Sequence, residues 1–213
     1  MLRKKVAIID YKLGNLFSVR QACLYCGVDA IITNDTNEIL NADYAILPGI
    51  GSFGNAMKNL HKMDLVKPIH DFVDSNKPLM GVCLGLQLLF TESEELGSFK
   101  GLDIVNGVVT RFPTVKQDNY FLKVPQIQWN KIYKPSDNRW DNTPLSSCEQ
   151  EDYMYFVHSF YVIPEKPEEQ LSITVYGDIN YCSSVQVRNV SAFQFHPEKS
   201  GSKGLSIYKN FFK

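Results

Sequence analysis

Four short apolar runs, Val6 to Asp10, Asp29 to Thr33, Tyr44 to Leu47 and Leu79 to Val82, alternate with stretches of helical spacing. No other feature restricts the fold as much. Runs this short and this continuously apolar suit strands buried on both faces, and the helices between them supply the cover. Asn15 stands where it can cap the first helix, whose apolar positions Leu16, Val19, Cys23 and Cys26 recur at helical intervals before Gly27 stops it. A brief helix is predicted over Thr36 to Asn41, and two more over Ser52 to Met63 and Asp64 to Ser75. The first half therefore reads as a parallel sheet covered by helices.

From about Gly101 the pattern changes to strands, many of them antiparallel. They are predicted at Gly107 to Phe112, Phe121 to Val124, Trp129 to Tyr133, Tyr153 to Val162, Leu171 to Tyr176, Ser184 to Val187 and Ala192 to Phe195. The loop from Lys134 to Pro144 is rich in Pro, Asn and Asp, and its Trp140 reads as ordinary surface. A last helix spans Lys203 to Phe212. No repeat or linker interrupts the chain, so one α/β domain over residues 1–213 is expected: a central mostly parallel sheet, flanking helices and an antiparallel extension in the second half.

Composition sets the outer limits. With 44% apolar and 21% charged residues, the 213-residue chain can bury a continuous core. Its formal charge of −1 argues against a nucleic-acid binder or an anionic-membrane binder. No apolar run reaches the ~18 residues of a spanning helix, and the four apolar residues before Asp10 are too few for a signal peptide. A soluble, cytoplasmic chain is expected. Five scattered cysteines, an odd number, do not suggest a disulfide framework. Cys23 and Cys26 read as small buried helix residues, since no second Cys or His pair completes a zinc site, and Cys148 and Cys182 have no assigned role.

Chemistry concentrates in three places. Gly81-Val-Cys83-Leu-Gly85 reads as strand, sharp turn, helix, where the small neighbours let a nucleophile project and the helix start favours a thiolate. Phe195-His196-Pro197-Glu198 offers a base with an acid two residues on, which face the same way if the chain is extended. A Cys nucleophile needs a base in reach, and the base needs a partner to fix its tautomer; Cys83, His196 and Glu198 supply the three roles. His61 and His70 lack an orienting acid, and His158, between Val157 and Ser159, reads as a core or wall residue. Third, Gly49, Gly51 and Gly54 have the spacing of a dinucleotide loop, but they follow the third strand, and the next strand ends in Cys83 rather than a ribose-binding acid. An oxyanion-holding backbone loop is the better reading. A nucleotide-binding oxidoreductase and a non-catalytic module with a decayed triad are the competing classes. No metal and no cofactor are called for.

These elements together resemble the class I (triad) glutamine amidotransferases. Within them, the chain is most similar to the glutaminase subunits of imidazole glycerol phosphate synthases. The resemblance runs through Ile9-Asp-Tyr11, Gly14-Asn15-Leu16, Leu47-Pro-Gly-Ile-Gly51, Gly81 to Gln87, Tyr155 to Ser159 and Gln194 to Lys199. It implies that Cys83 attacks the amide of L-glutamine, that His196 shuttles the proton and that Glu198 orients it. It further implies an oxyanion site at the backbone of Gly49, Ile50, Gly51 and Leu84, and a glutamine site at Gln87, Ser159 and Phe160. Ammonia would pass to a separate (β/α)8-barrel cyclase, in a heterodimer of histidine biosynthesis, with Tyr11, Asn15, Trp129 and Asn130 at the partner face or ammonia passage. Two departures stand out. Lys12 occupies a common Gly position, and Pro125-Gln126-Ile127-Gln128-Trp129-Asn130 has Gln126 and Gln128 where the family's docking segment has His and Gly. A changed docking segment also suits a paralogue feeding ammonia to a surface-polysaccharide sugar amidotransferase.

Overall fold

The computed structural model describes residues 3–118 and 120–213. The first half forms β1 (Lys5–Ile9), α1 (Leu16–Tyr25), β2 (Asp29–Thr33), α2 (Thr36–Asn41), β3 (Tyr44–Gly49), α3 (Phe53–Lys62), α4 (Val66–Asp74), β4 (Leu79–Cys83) and α5 (Leu84–Leu88). The second half adds β5 (Phe90–Ser93), β6 (Phe99–Lys100), β7 (Val105–Arg111), β8 (Lys116–Gln117), β9 (Tyr120–Phe121), β10 (Gln126–Lys131), β11 (Tyr153–His158), β12 (Phe160–Pro164), β13 (Gln170–Tyr176), β14 (Ile179–Val187), β15 (Val190–Phe193) and α6 (Gly201–Phe211).

The main sheet runs β2-β1-β3-β4-β15-β14-β12-β7-β5-β6, with β13 paired to β14. From β2 to β15 every pairing is parallel. Beyond β15 the pairings are antiparallel, except β5 with β7. β15 is thus the hinge of the topology: it completes the parallel half and starts the antiparallel one.

Strand alternation explains the two-sided core. Along β1, Val6 and Ile8 join one apolar cluster while Ala7 and Ile9 join the other. The first cluster packs under α1 and α6 through Val19, Cys23, Ile207 and Tyr208. The second packs under α3 and α4 through Phe53, Leu60, Ile69 and Phe72. Three layers result, and the apolar runs of β1, β3 and β4 are continuous because both faces of each are covered. The edge strand β2 instead leaves Ile31 and Ile32 partly exposed, contrary to the reading of a fully buried strand.

Several expectations change in detail. Asn15 precedes α1 but makes no side-chain cap, whereas Asp35 caps α2 by accepting from the Glu38 N–H at 2.9 Å. Tyr153 to Val162 is two strands rather than one, broken at Ser159. The strand β5 was not anticipated, because α5 is only five residues long and the chain turns back almost at once. Trp140 is not surface: it is fully buried, and its Nε1–H donates to the Leu171 carbonyl at 2.6 Å, pinning the 134–152 loop to the core. Cys23 and Cys182 are core residues in different clusters and Cys148 is buried in the loop, but Cys26, expected to be buried as well, is only half-buried.

Candidate active site

β4 delivers Cys83 to the top of the sheet. Cys83 sits between β4 and α5 at φ 55°, ψ −111°, a strained backbone that only an over-determined turn sustains. Its glycine neighbours make that turn sterically possible. A Cβ on Gly85 would lie 1.8 Å from the Leu47 carbonyl oxygen, and one on Gly81 would meet the Ala192 Cβ at 2.9 Å. The Leu84 N–H opens α5 and so has no intrahelical acceptor.

β3 brings the second component. Gly49 is in register with Cys83, so the loop from Ile50 to Ser52 leaves its strand directly beside that residue. Tyr11 supports this loop from beneath: its hydroxyl donates to the Pro48 carbonyl at 2.8 Å, and a Cβ on Gly49 would collide with that oxygen at 2.2 Å. Gly51 has φ +99° and open space around it, whereas Gly54 packs against the Phe99 ring. The three glycines therefore have three unrelated jobs, which is not how a phosphate cradle is built.

The third component arrives on β15. Phe193 pairs with Val82, and three residues later His196 is anchored by its N–H to the Tyr155 carbonyl at 2.9 Å. The His196–Glu198 contact is not made along an extended chain as the sequence suggests. Pro197 opens a 3-10 turn (Pro197–Lys199), and the turn itself brings Nδ1 to 2.8 Å from the Glu198 Oε1. Both side chains are almost wholly enclosed. Nε2 is also buried and holds no hydrogen bond, leaving it open to a reacting proton. Burial opposes a charge on this ring, but its interactions with the Cys83 sulfur and with Glu198 outweigh that, and His196 is held above the ordinary imidazole value.

Cys83 and His196 line one cavity of about 270 Å³, together with Ile50, Gly51, Leu84, Gln87, Glu95, Pro125 and the segment Val157 to Phe160. The structure thus gathers Cys83, Gly51, Ile50, Leu84, Gln87, Ser159 and Phe160 around one space, with Glu198 behind His196. His158 is a wall residue. Its Nδ1–H donates to the Phe160 carbonyl at 2.8 Å, and burial pushes its pKa down to about 4, so it stays neutral and serves as a brace. His61 and His70 face a different groove, between α3 and α4.

Glu95 is the lining residue that sequence reasoning missed. Its Oε2 accepts from the Phe53 N–H, at the start of α3, at 2.7 Å. Ser52, the residue before α3, is of a type that can cap but makes no such bond. Only the turn between β5 and β6, with β6 packed against α3, brings this carboxylate to the site, and no local signal encodes that.

The residues assigned to a partner face separate. Tyr11 is fully enclosed and holds the Pro48 loop, so it presents nothing to a partner. Asn15 is half-buried. Trp129 is 49% exposed on β10 and stands edge-on to Tyr155, which in turn neighbours the His196 ring. Asn130 donates to the Val175 carbonyl at 2.8 Å. Of the two departures in the docking segment, only Gln128 is exposed; Gln126 is buried, its Oε1 accepting from the Tyr181 hydroxyl at 3.1 Å.

A strained Cys elbow, a backbone loop in register with it and a carboxylate-backed His are the parts an acyl-transfer site requires. The chain belongs to the class I glutamine amidotransferase family, whose profile matches residues 7–213. Within that class it is similar to three proteins named imidazole glycerol phosphate synthase subunit HisH. That of Chlorobaculum tepidum is 40% identical over 97% of this chain and 98% of its own length. The Aquifex aeolicus protein is 41% identical, covering 97% and 95%, and that of Syntrophotalea carbinolica 42%, covering 97% and 98%. The fold is shared with PurLQS from Thermotoga maritima, at a TM-score of 0.75 and 16% identity over 99% of this chain and 98% of that one. A further glutamine amidotransferase crystal structure matches at 0.67 and 17%, over 94% of each chain. Among the described residues, no helix is long and apolar enough to cross a membrane.

Proposed function

We propose that this chain, as one domain over residues 1–213, is the glutaminase subunit of an imidazole glycerol phosphate synthase. The observation that carries the chemistry is a cysteine at φ 55° sharing a cavity with an imidazole whose far nitrogen is 2.8 Å from a buried carboxylate. Cys83 thiolate adds to the side-chain amide carbon of L-glutamine. Negative charge then collects on the amide oxygen, beside the backbone N–H groups of the Ile50–Gly51 loop and of Leu84. His196 gives its proton to the departing nitrogen, the C–N bond breaks, and ammonia leaves behind a γ-glutamyl thioester. His196 next takes a proton from water, whose oxygen attacks the thioester; glutamate is released and the thiolate returns. Glu198 keeps the imidazole oriented throughout. Gln87, Ser159 and Phe160 hold the substrate, and the Glu95 carboxylate suits its α-ammonium group.

Ammonia in neutral water becomes ammonium and stops being a nucleophile, so the product is useful only if a docked synthase receives it directly. The relatives' names support a cyclase subunit as that receiver, and the family resemblance gives it a (β/α)8-barrel fold. There ammonia completes imidazole glycerol phosphate and an aminoimidazole ribotide for histidine biosynthesis, in the cytoplasm. The exposed apolar side chains of Ile127 and Trp129 on β10, beside the cavity, are the docking surface this reading favours. Copurification from the native source tests the assignment. A barrel cyclase that raises glutamine hydrolysis supports it, and a sugar amidotransferase in its place would overturn the pathway. A glutamine-analogue electrophile should label Cys83 and no other cysteine; labelling elsewhere removes the mechanism.

A further inference from the structure

Gln194 is fully buried at the end of β15, two residues before His196, and the scheme above gives it no task. Its side chain is one link in a chain of hydrogen bonds that starts at a backbone carbonyl. Gln87 Nε2 donates to the Phe160 carbonyl at 3.1 Å and to Gln194 Oε1 at 3.1 Å. Gln194 Nε2 in turn donates to the Cys83 sulfur at 3.8 Å. The polarity of the chain is forced. A carbonyl oxygen only accepts, so the end of Gln87 that meets Phe160 is its amide nitrogen. The end of Gln194 that meets Gln87 is then its oxygen, and the nitrogen is left facing the sulfur. As a thiol, Cys83 is 3.9 Å from the Val157 carbonyl and donates there. As a thiolate it has lost that donor role and needs N–H groups pointed at it.

We propose that Gln194 is a positioning residue, whose amide N–H holds the ionised Cys83 sulfur while its carbonyl fixes Gln87 against the Phe160 backbone. The inference rests on Cys83 being the nucleophile. It ties the reactive atom to the segment that binds substrate, so that one rigid amide sets both the charge of the nucleophile and the orientation of a binding side chain. His196 cannot do this alone, because it moves its proton during the reaction, whereas an amide keeps its hydrogens throughout.

The test is the pH profile of iodoacetamide alkylation of the full chain. The readout is specific, since burial pushes the thiols of Cys23, Cys26, Cys148 and Cys182 up. Replacing Gln194→Met keeps the volume and removes the donor. The alkylation midpoint should rise by about one pH unit, as expected for losing a hydrogen bond to a charged group at long range, and KM for glutamine should rise with it. Gln194→Glu, nearly isosteric, sets a carboxylate against the sulfur and should raise the midpoint further. This second variant carries the test if the first does not fold. Midpoints unchanged in a folded variant of either kind would overturn the proposal, leaving Gln194 as packing. Alkylation undiminished in Cys83→Ser would instead remove the nucleophile assignment, and this inference with it.

Discussion

Gly85→Ala should separate the geometry of the elbow from its chemistry. The added methyl would stand 1.8 Å from the Leu47 carbonyl oxygen and 2.8 Å from its carbon, so β3 and α5 must part by about 1 Å before it fits. The obstacle is backbone inside a parallel sheet, which cannot rotate away as a side chain can, and overpacking of this sort costs about 3 kcal/mol. The helix propensity of Ala over Gly returns roughly 1 kcal/mol, giving a net loss of about 2 kcal/mol. The more telling effect is on rate. β3 ends at Gly49, in register with Cys83, so parting the two elements moves the Ile50–Gly51 backbone away from the sulfur. A misplacement of about 1 Å costs on the order of a hundredfold in turnover. Urea unfolding gives the first number, and glutamine hydrolysis by the chain with its synthase partner gives the second. Gly27→Ala is the control: Gly27 is at φ +81° with nothing within 4 Å, so that variant should lose about 1 kcal/mol to backbone strain and keep full activity. If Gly85→Ala turned over glutamine at the normal rate, the claim that β3 packing sets the position of the loop would be refuted.

Three other changes probe separate parts of the molecule. Tyr11→Phe keeps the ring but leaves the Pro48 carbonyl without its donor, so stability should fall by about 1–2 kcal/mol in urea unfolding, with turnover lowered as the loop loosens; an unaltered unfolding midpoint would show the bond to be idle. His196 is raised above its free value of 6.5 in the folded chain, so its protonated form adds stability below that value and the gain is lost as pH climbs toward the raised one. Glu198→Gln removes one cause of the shift, so melting temperatures measured over rising pH should fall by less and level off earlier, and the basic limb of the rate profile should move down. Superimposable profiles would mean that Glu198 does not set the charge of the ring. Trp140→Phe forfeits the bond to the Leu171 carbonyl and should cost about 1–2 kcal/mol in unfolding assays while leaving glutamine hydrolysis intact.

The parallel half was legible because its signals are local. Each buried strand is a short run of apolar residues, and Gly81 and Gly85 stand where close backbone contacts admit nothing larger. The contacts that finish the site are not local. Glu95 reaches Phe53 across 42 positions, and Gln87 reaches Gln194 across 107, through pairings that no run of residues encodes. Helix capping shows the same limit. Asp35 caps α2 as its type suggests, but Ser52 makes no cap, and the Glu95 carboxylate from the turn after β5 occupies the start of α3 instead. Trp140 was misread because a loop rich in Pro, Asn and Asp looks solvated, and only the Leu171 carbonyl on β13 reveals why one large ring in it is buried. His196 and Glu198 make the expected contact for a different reason, since Pro197 starts a tight turn and the chain between them is not extended.

The order of the sheet gives the site a further property. β15 is the last strand in the chain, yet it lies between β4 and β14, so the two halves are joined only when it docks. Until then β4, with Cys83 at its end, is an open edge with unpaired backbone groups. The pairing that closes this edge, Val190 to Phe193 against Leu79 to Val82, is also the one that carries Gln194 and His196 to the sulfur. Because contacts this distant in sequence are expensive in chain entropy, they are expected to form after the rest of the sheet holds both partners in place. Cys83, His196 and Gln194 are thus brought together by the same event that completes the core. Cys83 therefore gains these neighbours only in the fully folded chain, and any substitution that loosens β15 should lower activity before it unfolds the parallel half.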